Sequence, residues 1–261
     1  MITVAGCGRM GGPMLDALRK AGFDARGFDL RAMDATYITD DVSALRRDTQ
    51  TLITVVRDTA QTDAVLFGAQ NFCAGPALRR IILCSTLSPR YVLDLRARVP
   101  ESITLIDAPM SGAQIAAQHA RLSFMLGGSD ADLDAAQPLF AAMGAHFHRM
   151  GGYGAGMQAK VLNNLLAASN TAMTRLVLDW ADQAGLDEEK LLQLIHTSSG
   201  QNWFASGFNE IEFARDGLST DNTIAILVKD VASALDAAPL GADLTLPKTV
   251  QDQIRSLKPR L

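Results

Sequence analysis

Residues 2–14 read ITVAGCGRMGGPM, and this stretch decides the fold of the first half of the chain. A short apolar run is followed by three glycines in the spacing GxGxxG and then by a segment with helical periodicity. Gly6 permits a tight turn, Gly8 lets the backbone approach a pyrophosphate, and Gly11 lets the helix pack closely on the strand. The helix N-terminus offers free N–H groups and a partial positive charge to phosphates. The stretch therefore predicts a strand, loop and helix that bind a dinucleotide.

A carboxylate closes the second predicted strand. Asp29 follows Arg26–Phe28, where such a group accepts the hydroxyls of the adenosine ribose and repels a 2′-phosphate. Arg31 follows two residues later and is able to bind that phosphate instead, or to form a solvated pair with Asp29. We expect NAD as the favoured cofactor and NADP as the alternative. The residues expected to contact the dinucleotide here are Gly6, Gly8, Arg9, Met10, Gly11 and Asp29.

The first half of the chain alternates short apolar runs with helix-periodic segments, which is typical of βαβ units and a mainly parallel sheet. After Gly156, no proline or glycine interrupts a run rich in Ala, Leu, Met and Gln up to Ala184, which predicts a helix roughly 40 Å long. The remaining sequence has helical periodicity only. We therefore predict an α/β Rossmann-type N-terminal domain over 1–153, followed by a long interdomain helix and an all-α C-terminal domain over 154–261. The predicted strands are Ile2–Ala5, Arg26–Phe28, Thr51–Val56, Arg80–Cys84, Ile103–Ile106 and Leu122–Leu126. The later predicted helices are Glu188–His196, Trp203–Ala214, Ile224–Ala238 and Pro247–Leu257.

The composition excludes several classes of protein. The 261 residues are 48% hydrophobic, enough for one large or two modest cores. A net charge of −4 disfavours a surface that binds nucleic acid. No apolar stretch approaches the roughly 20 residues that span a bilayer, so we expect no membrane association.

The cysteines and the N-terminal sequence bear on the compartment. Cys7, Cys73 and Cys84 form no CxxC and no metal-ligand spacing, which fits reduced thiols better than disulfides. His146 and His148 alternate like strand residues, and no third ligand is evident, so we assign no metal. No charged segment precedes the apolar start, so we expect no signal peptide and a cytoplasmic protein.

Five segments together resemble a known family. They are GCGRMGGPM at 6–14, STLSP at 85–89, DAPMSG at 107–112, GAGMQAKVLNN at 154–164 and LVKDV at 227–231. Their order and spacing resemble the β-hydroxyacid dehydrogenases, the family of 3-hydroxyisobutyrate dehydrogenase and tartronate semialdehyde reductase. The resemblance covers residues 1 to about 250 and implies reversible hydride transfer between a nicotinamide and the alcohol carbon of a small hydroxy acid.

The resemblance also implies roles for individual residues. Lys160 corresponds to the catalytic lysine and Asn164 to its partner. Ser111 and Gly112 correspond to the site for the substrate carboxylate. The remaining two correspondences are Lys229, near cofactor and substrate, and Thr86, near the nicotinamide ribose.

The chemistry of Lys160 agrees with that role. Oxidation of an alcohol removes the hydroxyl proton while hydride leaves the same carbon. A lysine accepts this proton only when desolvation or a neighbouring cation lowers its pKa. Lys160 lies near the start of an apolar helix, whose N-terminus disfavours a protonated amine. Asn164 lies four residues later, on the same helical face. A cation at Lys229 would bind a carboxylate. It would also lower the pKa of Lys160, as the helix N-terminus does.

The sequence also departs from the family. Alanines stand where glycines are common in the substrate loop, at Ala113, Ala116 and Ala120, which leaves the identity of the substrate open. Arg57 stands where proline is common. The sequence ends at Leu261, about one helix earlier than many members, with an expected effect on the dimer contacts or on the outer wall of the pocket.

Two other functions compete with the dehydrogenase. An imine reductase on the same scaffold would use hydride with a different proton donor, and the lysine at 160 favours alcohol chemistry. A non-catalytic nucleotide-binding protein is the second alternative, and the presence of Lys160 and Asn164 disfavours it. We expect a small carboxylate substrate and a homodimer or higher homo-oligomer, because the helical domain is expected to expose apolar faces.

Overall fold

The computed structural model describes residues 1–220 and 222–260, so Leu261, the last residue of the predicted C-terminal domain, lies outside the described residues. The chain forms two compact units, Met1–Lys160 and Val161–Leu261. The domain boundary near residue 153 stays a prediction. In the described part of the chain, no helix is long and apolar enough to cross a membrane.

One sheet organises the first unit. Its strands are β1 (Ile2–Ala5), β2 (Ala25–Phe28), β3 (Ile38–Thr39), β4 (Thr51–Thr54), β5 (Arg80–Leu83), β6 (Thr104–Asp107), β7 (Met110–Ser111), β8 (Leu122–Gly127) and β9 (Gly144–Gly151). Their order is β3-β2-β1-β4-β5-β6-β8-β7, and β9 also pairs with β8. The pairs from β3 across to β6 are parallel, whereas β8 runs antiparallel to β6 and β7 and parallel to β9. The carboxyl ends of β1, β2, β4, β5 and β6 therefore share one edge, where ligands bind in sheets of this kind.

Helices cover both faces of this sheet. They are α1 (Gly11–Lys20), α2 (Val42–Asp48), α3 (Thr59–Leu66), α4 (Pro89–Arg98), α5 (Ala113–Gln118) and α6 (Asp130–Met143), with a 3₁₀ turn at Phe72–Ala74. Alternate strand residues face opposite sides, so Ile53 and Ile82 belong to one buried cluster while Leu52 and Ile81 belong to another.

The long helix α7 (Ala155–Gln183) begins in the first unit and continues in the second. The other helices of the second unit are α8 (Glu188–His196), α9 (Trp203–Ser206), α10 (Thr223–Asp236) and α11 (Thr245–Ser256). Two buried clusters hold this unit together, and its described residues include no strand. The Rossmann-type α/β class, the long helix and the all-α second part are thus confirmed.

The predicted elements agree with the observed ones with one clear exception. Every predicted strand is present, with ends displaced by no more than two residues. The helix predicted over Trp203–Ala214 is wrong, because α9 ends at Ser206 and Gly207 follows at its C-terminus. The next residues form turns that place Phe208 in the same buried cluster as Phe204. Aromatic spacing that resembled a helical face therefore belongs to a folded loop.

Candidate functional site

The glycine loop between β1 and α1 has the tight geometry that its sequence predicts. Gly6 has a φ of +94°, and a Cβ there would lie 2.6 Å from the carbonyl oxygen of Val55. A Cβ at Gly11 would collide with the carbonyl oxygen of Gly6. These two positions exclude larger residues because the loop closes directly onto the sheet.

The middle glycine of the loop, Gly8, is less enclosed than the other two. A Cβ at Gly8 would approach only the Nη2 atom of Arg31, at 3.2 Å. The backbone is therefore accessible at this point, beside the N-terminus of α1 that begins at Gly11. Accessible backbone and a helix N-terminus together fit the diphosphate of a dinucleotide.

Asp29 follows β2 at the same edge and accepts four hydrogen bonds from two residues, Cys7 and Arg31. Its Oδ2 accepts the backbone N–H of Cys7 at 2.8 Å and Nη2 of Arg31 at 3.1 Å. Its Oδ1 accepts the backbone N–H of Arg31 at 3.0 Å and Nε of the same residue at 3.1 Å. Burial raises the pKa of the Asp29 carboxyl, but the hydrogen bonds from Arg31 and Cys7 outweigh burial and hold that pKa below its usual value.

The other residues expected near the cofactor have less distinctive surroundings. Arg9 is exposed, whereas Met10 is partly buried against the core cluster that contains α1. Thr86 is half-buried in the loop between β5 and α4. All three lie in loops that follow parallel strands at their carboxyl ends.

The predicted catalytic lysine and the predicted substrate loop meet in the first unit. Lys160 is 7% exposed, and its Nζ donates to Oγ of Ser111 at 3.1 Å. Gly112 follows with a φ of +132°, and a Cβ there would collide with Cβ of Ala116. Two elements distant in sequence, α7 and β7, thus bring an amine and a hydroxyl together.

Sequence reasoning missed the role of Asp107. This residue ends β6 and is fully buried, and its carboxylate accepts the backbone N–H groups of Gly154 at 2.6 Å and Met157 at 2.5 Å. Burial raises the pKa of Asp107, and these backbone hydrogen bonds oppose the rise. The carboxylate therefore anchors the first turn of α7, one turn before Lys160. An acidic residue at the end of an apolar strand was the available signal.

A second cluster of polar side chains lies in the second unit and contains Asn164, Lys229 and Asp230. Nδ2 of Asn164 donates to Oδ2 of Asp230 at 2.6 Å, and Nζ of Lys229 pairs with Oδ1 of the same carboxylate at 3.1 Å. Asn164 and Asp230 are both buried. Sequence reasoning assigned no role to Asp230, although its spacing from Leu227 and Ala234 places it on the buried face of α10.

Among the described residues, no three His, Cys, Asp or Glu side chains form a group that could hold a metal ion. Cys7, Cys73 and Cys84 are free thiols, and burial raises the pKa of Cys73 to about 11.

Comparison with known proteins gives the family. Residues 1–152 match the NAD-binding domain of 6-phosphogluconate dehydrogenase, and residues 154–261 match the NAD-binding domain of NADP-dependent 3-hydroxyisobutyrate dehydrogenase. An NAD-dependent L-serine dehydrogenase of Pseudomonas aeruginosa is 31% identical, over 94% of this chain and 87% of its own length. The chain belongs to the β-hydroxyacid dehydrogenase family.

Other members agree with this placement. An L-threonate dehydrogenase of Cupriavidus necator is 29% identical over 91% of this chain and 83% of its own length. A solved 3-hydroxyisobutyrate dehydrogenase of Mycobacterium tuberculosis with L-serine has a TM-score of 0.80 and 25% identity, covering 98% of this chain and 95% of that one. This β-hydroxyacid dehydrogenase is an oxidoreductase that transfers hydride between NAD or NADP and the alcohol carbon of a small hydroxy acid.

Proposed function

We propose that Lys160 is the general acid and base of this dehydrogenase and that Ser111 and Gly112 bind the substrate carboxylate. One observation carries the proposal: a buried amine in α7 donates at 3.1 Å to a hydroxyl in the loop segment at 107–112. An amine at hydrogen-bond distance from the substrate loop is positioned to exchange a proton with a substrate bound there. A hydroxyl beside a glycine with accessible backbone is suited to binding a carboxylate through hydrogen bonds.

The proposed proton transfer accompanies hydride transfer. When bound, the nicotinamide accepts or supplies the hydride at the alcohol carbon. In oxidation, the neutral amine of Lys160 takes the hydroxyl proton of the substrate. In reduction, the ammonium of Lys160 returns that proton to the nascent alkoxide. The hydrogen bond to Ser111 orients Nζ towards the substrate loop in both directions.

Asn164 and Lys229 have supporting roles in this proposal. Asn164 lies four residues after Lys160 in α7, and its side chain is fixed by Asp230. A fixed amide is able to orient the substrate hydroxyl without rotating away. Lys229 supplies a second cation for a carboxylate, and Asp230 holds it at 3.1 Å.

The dinucleotide is assigned to the loop at Gly6–Gly11 together with Asp29 and Thr86, in a domain over 1–153, and a helical domain over 154–261 follows it. NAD is the favoured cofactor because Asp29 stands at the ribose position. Since relatives act on L-serine and 3-hydroxyisobutyrate, small 3-hydroxy acids are the proposed substrates.

The imine reductase alternative and the non-catalytic alternative predict different behaviour. An imine reductase would turn over cyclic imines, and its proton donor need not be Lys160. A non-catalytic protein would bind cofactor without turnover on any substrate. The pairing of Lys160 with Ser111 favours the alcohol chemistry over both.

We test the role of Lys160 by replacing it with alanine. We expect Lys160→Ala to lower turnover by about 10²- to 10⁴-fold, the usual contribution of a positioned acid–base group, while the Kd for NAD⁺ stays unchanged. Lys190→Ala, at an exposed position of α8, is the matched control and should keep full turnover. Loss of NAD⁺ binding in Lys160→Ala, or turnover equal to that of the control, would contradict the assignment.

We also propose a homodimer in the cytoplasm. Leu162, Leu166, Met173 and Trp180 are each more than half exposed, and their spacing places them in one stripe along α7. A second copy of the chain would bury this stripe, and the three free thiols fit a reducing compartment. Light scattering of the purified protein measures its mass, and the mass of one chain would refute the dimer.

A further inference from the structure

A methionine sulfur joins the loop after β5 to the first turn of α7. The backbone N–H of Leu87 donates to Sδ of Met157 at 3.3 Å. Both residues are buried, and their side chains belong to the same core cluster. A thioether is a weak acceptor, but a buried backbone N–H without any partner is destabilising. Met157 therefore supplies a hydrogen bond to the loop as well as apolar packing.

The loop between β5 and α4, residues 84–88, is short and its two ends are fixed. At the first end, the N–H of Cys84 donates to the carbonyl oxygen of Thr54 in β4 at 2.9 Å. At the second end, α4 begins directly after the loop. The N–H of Leu87 lies between these ends and connects the loop to α7. It follows Thr86, the residue assigned to the nicotinamide ribose, so the contact holds the cofactor side of the loop.

The backbone of Met157 leads to the lysine that is assigned to proton transfer. Lys160 lies three residues later in α7, about one helical turn away. The N–H of Met157 donates to the carboxylate of Asp107, so β6 fixes this turn of the helix while the sulfur holds the loop. Nζ of Lys160 then reaches Oγ of Ser111. Met157 is therefore linked through its backbone to the amine and through its sulfur to the loop.

We propose that Met157 is a positioning residue whose sulfur fixes the loop at Thr86 relative to the turn of α7 that carries Lys160. The proposal rests on the proposed function, which assigns Thr86 to the nicotinamide ribose and Lys160 to the proton. Hydride leaves the alcohol carbon while the proton leaves its oxygen, so the nicotinamide and Nζ must reach one substrate together. A displacement of about 1 Å between such groups lowers the rate by up to about 10²-fold. Met157 acts through Leu87 and Lys160 and not on the substrate itself.

Replacement of the sulfur by carbon tests the proposal. Met157→Leu keeps an apolar side chain of similar size and removes the acceptor, so the N–H of Leu87 loses its partner. We expect kcat on the hydroxy acid that the wild-type chain oxidises to fall by about 10- to 100-fold. Met143→Leu, the same change at a fully buried position of α6, is the matched control and should keep the wild-type kcat.

A second variant separates positioning from packing. Met157→Gln keeps an acceptor on a side chain of similar length but places a polar amide in an apolar cluster. If Met157 only packs, leucine should preserve both stability and kcat better than glutamine does. If it positions the loop, Met157→Gln should have the higher kcat of the two, although urea unfolding finds it the less stable. A kcat in Met157→Leu equal to that of Met143→Leu, or a lower kcat in Met157→Gln than in Met157→Leu, would overturn the proposal.

A measurement without substrate distinguishes this proposal from the catalytic assignment. The fluorescence lifetime of bound NADH or NADPH reports how firmly the nicotinamide is held, and we expect it to be shorter in Met157→Leu than in the wild type and in Met143→Leu. A shorter lifetime with no wild-type turnover on any hydroxy acid would uphold the hold of Met157 on the loop and refute the assignment of Lys160. An unchanged lifetime and an unchanged kcat in Met157→Leu would refute the role of Met157 alone. If the wild-type chain bound neither cofactor, both would be refuted.

Discussion

Two alanines near the substrate loop adopt a backbone conformation that glycine prefers. Ala113 has a φ of +53° and Ala120 a φ of +51°, both in the left-handed region. For a residue with a Cβ, this region costs roughly 1–2 kcal/mol relative to the right-handed one. They are two of the three alanines that the family resemblance places where glycine is common. The third, Ala116, lies inside α5 and carries no such strain.

The strain predicts stabilising substitutions. Ala113→Gly and Ala120→Gly should each raise the free energy of unfolding by up to about 1 kcal/mol, since relief of strain exceeds the added entropy of the unfolded chain. Ala116→Gly is the matched control and should lower that free energy by about 0.5–1 kcal/mol. Urea unfolding measures all three, and a shift of the same sign in all of them would refute the account.

At the residue scale, the sequence predicts the functional side chains that belong to a recognisable motif. Lys160 and Ser111 are predicted by separate segments, and the structure brings them into contact. The sequence does not determine whether Arg31 pairs with Asp29. The answer depends on the conformation of the short loop after β2. The partners of Asp107 and Asp230 depend on contacts between distant segments, which no local pattern encodes.

At the element scale, α7 depends on a carboxylate outside it. Its first N–H groups lack partners within the helix, and Asp107, at the end of β6, accepts the N–H of Met157 in the first turn and that of Gly154, which directly precedes the helix. The negative charge also complements the positive end of the helix. Gly127 and Gly156 make room for this contact, since a Cβ on either would meet the Asp107 residue. This anchor fixes the turn of helix that precedes Lys160.

Removal of that carboxylate should destabilise the first unit. Asp107→Asn replaces one acceptor oxygen by an amide donor that faces a backbone N–H, and we expect a loss of about 2 kcal/mol or more in the free energy of unfolding. Asp187→Asn, at the exposed N-cap of α8, is the matched control and should change that free energy little. Equal losses in the two variants would show that Asp107 is an ordinary cap.

Two of the strands that the sequence misses are short, whereas the third, β9, has eight residues, most of them exposed. β3 and β7 contain two residues each, too few for an alternating pattern. The helix predicted over Trp203–Ala214 fails for another reason. The spacing of the apolar residues favours a continuous helix, but the chain turns at Gly207 and packs Phe208 into the buried cluster. Long, uninterrupted elements such as α7 are predicted to within a residue.

At the scale of the whole molecule, strong local signals determine the architecture. Strands and helices alternate before α7, and helices alone follow it, so the sequence predicts the α/β unit and the helical unit. The order of β3 to β6 in the sheet is that of a dinucleotide-binding fold. The antiparallel β8 and the added β9 are not predicted, because periodicity carries no strand direction.

The most direct test of the central claim is the absorbance of reduced nicotinamide when the enzyme meets small 3-hydroxy acids. The panel contains L-serine, 3-hydroxyisobutyrate and the corresponding semialdehydes, each with NAD and with NADP in the matching redox state. We predict turnover with a substrate that carries a carboxylate, and its loss in Lys160→Ala. Cofactor binding without turnover across the panel, or turnover of cyclic imines alone, would contradict the account.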